Sequence, residues 1–390
     1  MSKSVKKLPP FYSLKEILSR CPTAKYYIIY SERSNGKTHA VLEMALNEYL
    51  NHNHQLGIIR RFEEDFLKGS AETMMETLTK NKYRGNIVEE LSKGKWNDLE
   101  WKQRKFFLVK RNEEGEIVSR DIEPFAHTFY LMGAEHKKST SYPKIKNVLF
   151  DEFLTSDRYL INETVRFFSL VSTIVRLEDD VRFFLCGNTV SQYSPYFGDL
   201  GLDKVRQQKK GTIDIYKYGD SGLQVAVEYA EFPETMKDGK KFKKKSDIYF
   251  AFKDNPHLKM ITEGDWETNL YPHLPVDYHF WNVVYKFYIC FEGDNFTAEV
   301  INPPAETKNL PFVYIHRKTT PIKDDENFKK GYYCFKQEYD NRPLFSRDLF
   351  SCRNKLETKI ASFFKEDRVF YQDNLLGESI RRFIEWSCEQ

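Results

Sequence analysis

Along the first 230 residues, short unbroken apolar runs alternate with stretches whose apolar positions recur every three or four residues. Tyr26-Tyr27-Ile28-Ile29-Tyr30, β-branched and aromatic, predicts a buried strand. After a polar loop, Val41, Ala45 and Tyr49 form one i, i+4 row and Leu42, Leu46 and Leu50 the next, the apolar face of a helix packed on a sheet. "LGIIRRF" (56–62) reads as a second strand, about 71–91 as a charge-rich helix, and "RKFFLVKRNEEGEIVSRDI" as a hairpin turning at Glu114-Gly115. "IKNVLFDEF" (145–153), a helix over 162–176, "VRFFLCGNT" (181–189) and "LQVAVEYA" (223–230) continue the alternation. Strands that take turns with helices predict a three-layer α/β domain with a mostly parallel sheet, residues 1–230.

The pattern changes at "FPETMKDGKKFKKKSD" (232–247), which is charged and turn-rich and reads as a basic linker spanning 231–250. Residues 251–390 are aromatic and β-like, with a hairpin around Gly293-Asp294. Helical spacing returns only at 349–364 and 376–386, so a smaller α+β domain is expected. Composition adds little: 390 residues suit two domains, and a net charge of +3 implies that any nucleic-acid contact is local. Lys240, Lys241, Lys243, Lys244 and Lys245 are the first candidates for phosphate contact, Lys137 and Lys138 the second; the plain alternative is solvated lysines. Six scattered cysteines without metal spacing read as reduced thiols. No apolar run reaches the ~18 residues of a membrane span, and no secretory signal is visible, so a cytoplasmic location is expected.

The chemistry concentrates in "YSERSNGKT". In a phosphate-binding loop, backbone N–H groups and the following helix end surround the β-phosphate. The lysine reaches the β- and γ-phosphates, and the next hydroxyl ligates magnesium. Ser31, Glu32, Arg33, Ser34, Asn35, Gly36, Lys37 and Thr38 form the candidate loop for ATP, between a strand and a helix. Ser31 stands where the usual first glycine serves the turn, so some backbone strain is expected there.

The partner such a loop needs is an acid at the end of another buried strand, and "NVLFDE" supplies it. Asp151 is the expected Mg²⁺ ligand with Thr38, and Glu152 the base that deprotonates an attacking water, which favours hydrolysis. Asn188, ending "FFLCGN", is a candidate γ-phosphate contact or else a strand-end cap. Arg33 in the loop and Arg176 after the next helix are candidate phosphate-stabilising arginines; Arg176 also suits a plain helix C-terminus.

With "YSERSNGKT", "IIRR", "FDEF" followed by "RYLINE", and "GNTVSQYSPYF" in hand, the chain resembles the DNA-encapsidation ATPases of small short-tailed bacteriophages, relatives of the large terminases. The likeness covers most of residues 20–200 and continues more faintly in "FYICFEGDNFTAEV" and "RVFYQDNLLGESIRRFI". It implies a P-loop ATPase domain of the ASCE type with Lys37, Thr38, Asp151 and Glu152 in the roles above, and Arg176 reaching into a neighbouring subunit's ATP. It also implies a homo-oligomeric ring, five subunits in the family, that encircles double-stranded DNA at the portal of a procapsid in the infected cell. Some members bind a structural RNA through the C-terminal domain, which resembles a degenerate RNase H-like nuclease. Asp254, Asp265, Glu292 and Asp294 are the acids available there, no strand shows an obvious catalytic acid at its centre, and nuclease activity is not expected. The rival readings are a terminase- or helicase-like ATPase with a working nuclease, and a nucleic-acid-binding scaffold without turnover.

Overall fold

The computed structural model describes residues 11–132, 142–155, 159–160, 162–176, 178–190, 194–231, 271–274, 282–291, 294–304, 310–320, 331–334 and 355–387. The chain forms two compact units, Met1–Trp266 and Glu267–Gln390. The expected linker at 231–250 lies outside the described residues except for Glu231.

The first unit runs α1 (Lys15–Arg20), β1 (Tyr26–Ser31), α2 (Lys37–His52), β2 (Gln55–Arg60), α3 (Lys68–Thr79), α4 (Ile87–Leu91), β3 (Asp98–Lys102), β4 (Lys105–Arg111), β5 (Ile117–Arg120) and β6 (Ala126–Tyr130). It continues through β7 (Ile145–Asp151), α5 (Glu163–Val175), β8 (Arg182–Asn188), α6 (Pro195–Asp199), β9 (Thr212–Tyr218) and β10 (Leu223–Tyr229). The strands make one sheet in the order β3-β4-β6-β2-β7-β8-β1-β10-β9, with β5 paired to β4. From β6 to β10 every neighbouring pair is parallel. The remaining pairs, at the two margins, are antiparallel.

Alternation along the central strands feeds two cores. Tyr27, Ile29, Leu149 and Phe184 point into the layer with α2, where Val41, Leu42, Ala45 and Leu46 are buried. Ile28, Tyr30, Phe150 and Leu185 point to the other face, against Phe167, Leu170 and Ile174 of α5. A helix on each face of a parallel sheet explains why these strands read as continuous apolar runs.

Some expectations need adjusting. The single helix over 71–91 is two, because Asn81 and Gly85 pair across a turn whose peptides donate to Asn81 Oδ1, and Asn86 then caps α4. The strands β3, β6 and β9 are additional to those expected. The connection from β3 to β4 turns through Gln103 and Arg104 at φ 50° and 61°, without the glycine that usually marks such turns.

The second unit holds a five-stranded sheet of β11 (Asn282–Phe291), β12 (Asp294–Asn302), β13 (Phe312–Arg317), β14 (Tyr332–Cys334) and β15 (Val369–Tyr371), in the order β14-β11-β12-β13-β15. Strands β11 to β13 are antiparallel, and β14 and β15 join parallel at the margins. Among the described residues its helices are α7 (Lys355–Lys365) and α8 (Asn374–Ser387). Glu299 of β12 is buried near the strand's centre, where it pairs with Lys286 at 2.6 Å.

Candidate nucleotide site

The C-terminal ends of β1, β7 and β8 lie side by side in the parallel sheet, so whatever follows them meets at one edge. Register makes this specific: Ser31 is level with Asn188 and Asp151 with Cys186. The residues that end these strands surround a cleft of about 910 Å³, whose wall continues along α3 at Gly69, Ser70, Thr73, Met74 and Thr77.

The loop from β1 enters α2 through Gly36, which caps the helix at φ 95° with Phe11 packed against it. Ser31 is not where the strain lies. It is the last extended residue of β1, so the turn does not require glycine there; the left-handed conformations fall at Ser34 (φ 64°) and Gly36. Ser31 instead supplies a hydroxyl: buried Lys37 Nζ donates to Ser31 Oγ at 2.7 Å, to Glu32 O at 3.1 Å and to Asn188 Oδ1 at 3.4 Å. Burial draws the Lys37 ammonium down to about 8, against the opposing charges of Asp151 and Glu32. Asn35 is buried too; its Oδ1 accepts from Lys37 N at 3.2 Å, while its Nδ2 has no partner among the described residues. Arg33 is exposed at the rim of the cleft.

Thr38 Oγ1 donates to Asp151 Oδ1 at 2.6 Å, which brings together the two oxygens expected to share a metal. Magnesium at a phosphate site takes one or two protein oxygens and fills the rest of its octahedron with phosphate and water. A hydroxyl and a carboxylate in contact beside a lysine fit that demand. Cys186 is fully enclosed beneath them, and burial pushes its thiol far up.

Glu152 turns outward at φ 57°, the left-handed region, and its carboxylate is exposed at the cleft. Two arginines from the end of β2 hold this corner, and neither had a role assigned from sequence. Arg60 donates to Asp151 Oδ2 at 2.6 Å and to Glu152 Oε2 at 2.8 Å. Arg61 pairs with Glu163 through Nε and NH2, both at 2.8 Å. The available signal was "IIRR": two consecutive charges at the end of a fully apolar strand need partners. Gly187 allows the chain after Glu152 to pass close, since a Cβ there would meet Phe153 at 2.8 Å and Leu154 at 2.9 Å.

Arg176 is not part of this cleft. It ends α5 and borders a second cleft with Tyr26, Phe183 and Leu223, at the N-terminal ends of the strands and therefore on the opposite edge of the sheet. It therefore lies away from the cleft that Lys37, Thr38 and Asp151 line. Lys137, Lys138, Lys240, Lys241, Lys243, Lys244 and Lys245 lie outside the described residues, as do Asp254, Asp265 and Glu292. Asp294 sits 3.5 Å from Arg317. Among the described residues no group of three or more His, Cys, Asp or Glu side chains could hold a metal, and no helix is long and apolar enough to cross a membrane.

The family model for the podovirus DNA encapsidation protein (Gp16) matches residues 6–221. The DNA packaging protein of Bacillus phage phi29 is 24% identical over 190 residues, 48% of this chain and 49% of that protein. That of Bacillus phage B103 is 23% identical over 177 residues, 45% of this chain and 47% of its own. The chain thus matches about half the length of these relatives. Among solved structures, a chain of the bacteriophage Phi-29 viral genome packaging motor assembly superposes with a TM-score of 0.52 at 16% identity, over 97% of this chain and 99% of that one, a likeness of fold.

Proposed function

This chain belongs to the podovirus DNA encapsidation protein (Gp16) family, and from that premise we propose that it is an ATP-hydrolysing motor subunit that drives double-stranded DNA into a viral procapsid. The observation that carries the reading is the 2.6 Å contact of Thr38 with Asp151, made beside a buried lysine at the mouth of a strand-loop-helix unit.

In this reading the loop amides and Lys37 bind the triphosphate, and Thr38 and Asp151 hold Mg²⁺. The ion, when bound, neutralises charge on the β- and γ-phosphate oxygens. Glu152 orients the attacking water and takes its proton as the water oxygen bonds to the γ-phosphorus and ADP departs. Arg60 competes for Glu152 while it is paired, so the base is freed only when that contact opens. Asn188, in contact with the lysine, would meet the γ-phosphate, and Arg33 at the rim would screen phosphate charge. Arg176, on the far edge, acts on the ATP of the next subunit in a homo-oligomeric ring, with a pentamer as the expected form.

In this reading an ATPase domain at 1–230, a basic linker at 231–250 and a degenerate nuclease-like domain at 251–390 divide the labour, the last of them meeting the procapsid or a structural RNA. The lysines at 240–245, or Lys137 and Lys138, would contact DNA phosphates.

Titration with Mg·ATP and steady-state turnover test the reading. Glu152→Gln should bind nucleotide as the parent does and lose about 10²- to 10⁴-fold in kcat. A parent that neither binds nor hydrolyses ATP removes the motor reading and leaves the scaffold.

A further inference from the structure

The pair of arginines at the end of β2 divides its work, and only half of it concerns side chains at the cleft. Arg60 holds the carboxylates of Asp151 and Glu152. Arg61 is buried and holds backbone: NH1 donates to Glu152 O at 3.2 Å and NH2 to Phe153 O at 2.9 Å. Its remaining capacity goes to Glu163, the fully enclosed first residue of α5, which also accepts from Tyr196 OH at 3.0 Å. The guanidinium lies over the Tyr159 ring, 5.2 Å from its centroid.

We propose that Arg61, braced by Glu163, is a positioning residue that fixes the peptide of Glu152 so that its carboxylate is aimed into the cleft. A buried ion pair is a weak source of stability, since apolar side chains of similar volume often serve as well. What apolar residues cannot do is tether two successive carbonyl oxygens. The first of those carbonyls belongs to Glu152 itself, a non-glycine residue at φ 57°, a conformation that persists only where its surroundings over-determine it, and the second to the residue after it. Arg61 supplies that constraint from just after β2, Glu163 fixes Arg61 from α5, and Tyr196 fixes Glu163 from α6. Lysine cannot replace the fork, because one ammonium does not satisfy a carboxylate and two divergent carbonyls together.

The proposal rests on Glu152 being the hydrolytic base, and the test separates the two. Full-length Arg61→Lys and the milder Tyr196→Phe are compared with the parent and with Glu152→Gln, reading Mg·ATP dissociation constant, kcat, and amide hydrogen exchange at Glu152–Leu154 without nucleotide. Arg61→Lys should keep the dissociation constant within about twofold and lose about 100-fold in kcat, the penalty of a misplacement near 1 Å. Exchange at those amides should quicken about tenfold, with Tyr196→Phe intermediate in both readouts. Should Arg61→Lys fail to fold, Tyr196→Phe decides by the same two readouts. Unchanged kcat and exchange, or equal losses in binding and turnover, overturn the proposal. If the parent itself shows no turnover, the hydrolase reading falls and the exchange measurement alone judges Arg61.

Discussion

Burying a lysine ammonium among neutral oxygens has a measurable cost. Ser31 Oγ, Glu32 O and Asn188 Oδ1 are its partners, and its proton affinity falls to about 8 from the ordinary lysine value of about 10.4. Between those two values the unfolded chain binds the extra proton, so stability rises with pH across the window. Lys37→Met lacks the penalty. Without nucleotide, its melting temperature should exceed the parent's most below about pH 8, and the gap should close toward about pH 10.4. A gap that is constant with pH would show that Lys37 is not held this way. Serine in place of glycine is no defect in this setting, because it provides one of the three oxygens that make burial of the lysine tolerable.

At the level of elements, the segment before α1 is stitched to the sheet at both ends of its contact. Tyr12 N donates to Asn35 O of the phosphate loop at 3.0 Å, and Tyr12 OH donates to Glu228 Oε2 of β10 at 2.6 Å. Burial pushes Glu228 up to about 7, although the tyrosine hydroxyl and Arg20 oppose the shift. The folded chain therefore holds this proton more tightly than the unfolded one, and its contribution to stability is full at low pH and lost as pH rises through about 7. Glu228→Gln should match the parent below about pH 4.3 and become progressively more stable than it up to about pH 7. Chemical denaturation at a series of pH values reads this directly, and a parent that stays level with the variant above neutrality would refute it. Of the elements themselves, the continuous apolar runs and the i, i+4 rows of α2 were legible, since their periods are set by the chain. The β3, β6 and β9 strands were not. β3 and β9 are half-polar strands at the two margins and β6 is a short run broken by His127 and Thr128, so pairing rather than pattern selects them.

For the assembled protein, the two edges of the first unit's sheet carry different chemistry. The phosphate loop, Asp151 and Glu152 occupy one and Arg176 the other. In the proposed ring of identical subunits such a separation works, because a head-to-tail contact would bring one subunit's far edge to the next one's cleft. Arg176→Ala should bind Mg·ATP normally and lose hydrolysis by about 10³-fold or more. Mixing it with Lys37→Met subunits, which supply the arginine but not the loop, should restore part of the turnover. No recovery in any mixture would mean that Arg176 acts only within its own subunit's fold.

The order of residues is enough to set the apolar strands β1, β2, β7, β8 and β10, the helix after the loop, the candidate loop itself and the acids that end "NVLFDE", because each depends on short-range periodicity and on residue chemistry at fixed spacing. Which charge meets which is a different matter. Arg60 and Arg61 are some ninety positions from the acids and carbonyls they hold, and Arg176 is nearer in sequence to Asp151 than it is in the fold. Those relations arise from strand order, with β2 beside β7 and β8 inserted between β7 and β1, and strand order comes from packing the whole sheet against its helices.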